Sequence, residues 1–235
     1  MTPLFDYPKG AAFGRVVPKN KIYEHAGAST ALKDLFITQV DQIVWKFKLA
    51  QETINLAPTR SVSEIQVFTI SLRRAEVDLD VLRAIDRAIP FPLIFELTWS
   101  GKRKVVAAFK RPSEADSTKW VVSEYFETHW MDDGAARQPL PIALNLGGLY
   151  EQILSALMPD QLGSEEDIQA RISRMEAIRA KTREVERISL RLNREKQFNK
   201  RVEINAELRA ARLQLAELKR EKLAGADDRQ SAASE

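Results

Sequence analysis

The stretch from Glu165 to Leu223 contains neither glycine nor proline, and it constrains this 235-residue chain more than any other feature. Nothing in it breaks a helix, and Ile168, Ile172, Met175, Ile178, Thr182, Val185, Ile188 and Leu192 step by three or four residues. Their mean spacing is close to the 3.5-residue period of a left-handed coiled seam. The repeat blurs between Asn193 and Asn205 and resumes through Leu208, Leu215 and Leu218. A single rod of this length would run about 90 Å at 1.5 Å per residue. A turn near residues 193–199 would instead let two halves cover each other's stripes, and this antiparallel hairpin is the preferred reading over one long helix. Ser164, followed by Glu165, Glu166 and Asp167, supplies a hydroxyl cap and carboxylates for the positive end of the helix dipole. Residues 224–235 read as a disordered tail.

The remainder, residues 1–162, reads as a compact α/β module, and residues 163–223 as a separate helical, coiled-coil-like segment. Pro3, Pro8, Gly10, Gly14 and Pro18 make residues 1–27 a loop-rich lead-in. Ser29 or Thr30 caps a predicted helix in which Leu32, Leu35, Phe36, Val40, Ile43, Val44 and Phe47 recur at helical steps. Residues 64–72, "EIQVFTISL", are apolar on both parities and predict a strand covered on both faces. Asp78 or Asp80 starts a short helix that Pro90 stops. Two apolar runs flanking Ser100-Gly101 predict a hairpin. Residues 119–130 alternate, with Trp120, Val122, Phe126 and Trp130 on one parity, and predict a further strand. A helix, "LYEQILSALM", ends before Pro159. The fold class is α+β: a small mixed sheet packed with helices, followed by a long C-terminal helix or helical hairpin.

Charge is divided unevenly along this plan. Residues 1–164 hold 19 Lys/Arg against 19 Asp/Glu, whereas residues 165–223 hold 16 against 11, so attraction to a polyanion should be sought on the helical segment. With no cysteine, disulfides, thiolate catalysis and Cys-ligated metals are excluded. No apolar run is long enough for a signal peptide or a membrane span, which leads to the expectation of a soluble, cytoplasmic protein without membrane contact.

Four groups of residues are candidates for function. Arg179, Arg183, Arg187, Arg191 and Arg194 fall at three- and four-residue spacing on one helical face and could follow a phosphate backbone, or form a salt-bridged solvated face with the interspersed Glu176, Glu184 and Glu195. Ile172, Met175, Val185, Ile188, Leu192, Phe198, Val202, Leu208, Leu215 and Leu218 are the candidate protein interface, since a long apolar seam is stable only when covered. Asn193, Asn199 and Asn205 either sit in that seam and fix its register or mark its turn. Glu64, Gln66, Glu96 and Lys104 are weak catalytic candidates, because carboxylates with a lysine or glutamine can hold Mg²⁺ and position water; the usual acid-x-lysine pair is not met. His129 beside Glu127, Asp132 and Asp133 is read as a structural histidine, so neither a metal nor any other cofactor is expected.

Several phrases, in order, carry a resemblance: "VPKNKIYEH", "VWKFKLAQETINLAP", "SEIQVFTISL", "IDRAIPFPLIFEL" with the following "AAFK", and "EKQFNKRVEINAELR". Together they resemble the bacterial family known as domain of unknown function 4391. The resemblance implies no catalytic residues. It implies association: members look like companions of helicases and DNA methyltransferases in restriction-like and phage-defence gene clusters.

The expected function is therefore that of a non-catalytic accessory or scaffold protein in a DNA-associated defence assembly, docking a protein partner or a second copy through its C-terminal helices. The alternatives are a nucleic-acid-binding module and a divergent Mg²⁺-dependent nuclease.

Overall fold

The computed structural model describes residues 4–113, 116, 119–158 and 168–232, and the side chains among them up to Arg220. The chain divides into two compact units, Met1–Met158 and Pro159–Glu235.

The first unit is built on a mixed sheet. In chain order its elements are β1 (Phe5–Asp6), β2 (Ala12–Val16), α1 (Lys19–Ala26), α2 (Thr30–Gln39), β3 (Val40–Leu49), α3 (Gln51–Ile54), β4 (Ile65–Leu72), α4 (Leu79–Ala88), β5 (Leu93–Trp99), β6 (Lys102–Pro112), β7 (Trp120–Glu127), β8 (Met131–Asp132), β9 (Gln138–Pro139) and α5 (Leu146–Leu157). The sheet order is β2-β3-β4-β5-β6-β7, with β8 beside β6, while β1 and β9 form a small parallel pair of their own. Only β4 and β5 run parallel within the large sheet, and α4 makes their crossover. Ser29 caps α2 and Asp78 caps α4 through side-chain oxygens, as their positions in the sequence predict. The β5–β6 hairpin turns on Ser100 (φ 48°) and Gly101 (φ 73°), two consecutive left-handed residues of the kind a two-residue hairpin turn requires.

One expectation is overturned between Val40 and Phe47. The helix stops at Gln39, and Val40–Leu49 is the strand β3. Its pairing with β4 shifts register between Val40 and Gln42 and again between Trp45 and Phe47. Each bulge adds one residue, so inward side chains fall three apart instead of two and imitate a helical step. At the changeover, cations sit on the backbone carbonyls. Lys19 Nζ donates to Val40 O at 2.5 Å and Phe36 O at 3.3 Å, and Arg73 Nε donates to Val40 O at 3.2 Å.

The lead-in is likewise structured rather than loop-rich. Pro18 precedes the first turn of α1, Gly27 closes that helix in the left-handed region (φ 60°), and Gly14 (φ 69°) lies in a bulge of β2. The prolines and glycines punctuate element ends here, where each one's backbone preference suits the chain. Strand β7 ends at Glu127, and a register shift opposite Ala108–Lys110 places Val122 and Tyr125 on one face and Phe126 on the other.

Side chains of paired residues share a face. Phe68, Ile70, Leu93, Phe95, Leu97 and Val106 point to one side and pack beneath α1, α2 and α4 with Ile22, Phe36, Val81, Leu82 and Ile85. Val67, Ile94, Glu96, Val105 and Ala107 point to the other, where the N-terminal segment lies with the Tyr7 ring 4.8 Å from that of Phe47.

The second unit is a helical hairpin. Helix α6 is described over Ile168–Arg194 and α7 over Phe198–Ala232, joined by residues 195–197. Lys181 Nζ meets Gln214 Oε1 at 2.9 Å and Arg191 pairs with Glu207, so the helices run antiparallel. The proposed Ser164 cap lies outside the described residues. Helix α7 extends to Ala232, past Gly225, where the sequence suggests an irregular tail.

Candidate functional site

Within the sheet unit, the charged side chains that reach the interior, Asp86, Glu96 and Lys110, are each paired. Glu96 (2 % exposed) receives Arg137 in a bidentate pair, Nη1 to Oε1 at 2.9 Å and Nη2 to Oε2 at 2.8 Å, and Arg103 Nη1 on Oε2 at 2.5 Å. Arg137 also donates to Phe5 O at 2.7 Å, while Arg103 Nη2 reaches Asp133 Oδ1 at 2.6 Å. The Glu96 carboxylate beside it, through a direct hydrogen bond above all, holds the Arg137 guanidinium even more firmly protonated. Burial, and then the Glu96 charge, push the neighbouring Tyr7 phenol upward, so it stays neutral. This network ties the N-terminal segment and the residue-137 loop to β5 and β6.

On the other face, Lys110 (1 % exposed) spends its ammonium on Asp86 O and Ile89 O, each at 2.5 Å, and on Asp86 Oδ1 at 3.4 Å. Asp86 Oδ2 accepts the Tyr125 hydroxyl. Burial raises the Asp86 pKa and lowers that of Lys110, each opposed by the attraction of the other. The ammonium satisfies carbonyls at the C-terminal end of α4, where a cation is also favoured by the helix dipole. It therefore fastens α4 to β6 and β7.

These connections separate the catalytic candidates. Glu96 pairs with Val105 across β5–β6, and Lys104 pairs with Leu97, so Glu96 and Lys104 face opposite sides of the sheet. Gln66 pairs with Leu93 and shares the side of Lys104, not that of Glu96. Gln66 Nε2 donates to Glu64 Oε1 at 2.5 Å, and Glu64 meets Lys48 at 3.3 Å. Lys104 meets Glu127 at 3.0 Å and lies over the Trp130 ring. The nuclease-like constellation is thus not assembled. Among the described residues no group of three His, Cys, Asp or Glu side chains stands close enough to hold a metal ion. Arg103, Arg137, Asp86 and Lys110 were invisible as partners in the sequence, because contacts spanning 7 to 41 positions leave no local pattern.

The hairpin is organised differently. Ile188, Ile204, Leu208 and Ala211 form its buried centre, with Val185 and Leu192 packed against them. Ile172 and Met175 are also buried, and Leu215 and Leu218 are half-buried. The interface candidates therefore divide into two sets, because Phe198 (77 % exposed) and Val202 (54 %) lie outside this seam. Ile204, where the repeat blurs, and Ala211, whose small side chain gives little apolar signal, belong in it and were missed. Asn193, Asn199 and Asn205 are all exposed, so none fixes register from within; Asn193 and Asn199 flank the turn.

At 3.6 residues per turn, Phe198, Val202, Ala206 and Leu213 (66 % exposed) line one side of α7, about half a turn from Ile204, Leu208, Ala211, Leu215 and Leu218. Helix α7 has two opposed apolar faces, and only one is covered by α6. The outer side of α6 carries Arg183, Arg187, Arg191 and Arg194 around Leu190 (56 % exposed), lining an open groove of about 470 Å³. Arg191 pairs with Glu207, while Arg187 and Arg194 make no ion pair among the described residues. Arg179, half-buried, stands at the margin of this row.

Among the described residues no helix is long and apolar enough to cross a membrane. No curated protein and no solved structure matches the chain. The family model described as a domain of unknown function, DUF4391, matches residues 5–215, which takes in every named element of the sheet unit and most of the hairpin. On that match the chain belongs to the DUF4391 family.

Proposed function

We propose that the chain is a non-catalytic docking subunit of a DNA-associated bacterial defence or restriction-like assembly, working in the cytoplasm. The sheet unit is the rigid platform and the hairpin the arm that engages a protein partner. The observation that carries this reading is the second apolar face of α7, where Phe198, Val202 and Leu213 stand in water although α6 already covers the opposite face. Contiguous exposed apolar stripes are retained where a partner dries them. The helicase and DNA methyltransferase companions implied by the resemblance are the first partners to test. Co-expression of the full chain with each, followed by size-exclusion chromatography with light scattering, should give a complex that Val202→Glu with Leu213→Glu dissolves. A wild-type chain that stays monomeric with every companion sinks the proposal.

A second reading is supported by Arg187 and Arg194, which have no carboxylate partner among the described residues: the α6 groove contacts nucleic acid. With about three phosphate contacts, log K against log salt would slope at about −2 to −3. A flat titration at low salt removes this reading.

A further inference from the structure

We infer that the occupant of the outer face of α7 is an acidic amphipathic helix of a protein partner, with a carboxylate at its centre that meets Arg209. This rests on the docking reading and specifies its chemistry. Arg209 falls in the same stripe as Val202 and Leu213, is exposed, and makes no ion pair among the described residues. The stripe is bordered on one side by Arg201, Arg212 and Lys219 and on the other by Glu203 and Glu217, by their angular positions on the helix. From Phe198 to Leu213 it spans about 22 Å, so a partner helix of about 15 to 20 residues covers it.

A second copy of this chain fits poorly. Parallel pairing in register sets Arg209 against Arg209, and antiparallel pairing sets the basic border against itself. Nucleic acid fits poorly too, since Arg209 is the one phosphate donor within the stripe, while Phe198, Val202 and Leu213 need a dry cover that a phosphate backbone does not give. An acidic helix meets every feature. Its apolar side chains cover the stripe, its central carboxylate neutralises Arg209, and a row of carboxylates faces the longer, basic border. The wider field agrees, because between Ile168 and Arg220 fifteen Lys/Arg stand against seven Asp/Glu and draw an anionic partner toward this arm.

The test uses the full chain and three fluorescent peptides of about 20 residues. One has a leucine stripe with glutamates at its centre and border, one the same stripe with lysines, and one the glutamates with serines in place of the stripe. By anisotropy the first should bind at least about tenfold more tightly than the others. Leu213→Glu should abolish that binding, and Arg209→Glu should reverse the preference in favour of the lysine peptide. Equal binding of the first peptide and either of the others, binding of none, or displacement of the first by single-stranded or duplex DNA overturns the inference. If light scattering still shows a companion complex that Val202→Glu with Leu213→Glu dissolves, docking stands and only the acidic helix is lost.

Discussion

The two units treat charge in opposite ways. In the sheet unit, Asp86 and Glu96 leave water only with Lys110, Arg103 and Arg137 in contact, and the carbonyls around them are used as acceptors. In the hairpin, basic side chains outnumber acidic ones about two to one and Arg187, Arg194 and Arg209 stand in solvent without an ion pair among the described residues. Internal matching gives stiffness, since each pair joins elements far apart in sequence. Hydrated charge beside exposed apolar side chains gives a surface whose apolar part stays in contact with water.

The contrast is sharpest at Lys110. Replacing it with Met leaves the Asp86 carboxylate buried with only the Tyr125 hydroxyl, and should lower unfolding free energy by about 3–5 kcal/mol in urea denaturation. Adding Asp86→Leu should restore much of that loss; no restoration would mean the pair is not the cause. Glu96→Gln strands two guanidiniums against a neutral amide and should cost about 3 kcal/mol, with the N-terminal segment losing amide protection first by hydrogen exchange. In the hairpin, Leu208→Ala should cost about 2 kcal/mol and show as faster exchange in α6 and α7, while β4 and β5 amides stay unchanged. The smallest effect on stability belongs to Val202→Glu with Leu213→Glu, expected within about 0.5 kcal/mol of the parent because both side chains are already wet. If that pair unfolds the hairpin, the outer stripe is core and the contrast between the units fails.

Much of this was legible locally. The caps Ser29 and Asp78, the Ser100-Gly101 turn, the strand Ile65–Leu72 and the turn between the long helices each depend on a few adjacent residues, and each was read from them. Strand β3 was not legible, because its two bulges give apolar side chains a spacing that belongs to a helix. The ionic networks were not either: Arg137 and Glu96 are brought together by the whole fold and by nothing in their neighbourhoods. Helix α7 hid its second face for a related reason. With apolar side chains on opposite sides no single stripe dominates, and from Phe198 to Asn205 the repeat blurs because Phe198 and Val202 face away from Ile204.

The bulge of β2 in its pairing with β3 has a consequence at the border of the sheet. Strand β2 stands at one end of the sheet order, short, bent at Gly14 and carrying Arg15. A strand shaped this way is a poor template for another chain's backbone, so on that side the sheet resists growing into fibres. In a chain whose helix α7 exposes Phe198, Val202 and Leu213, a sheet border that discourages added strands removes one route to aggregation.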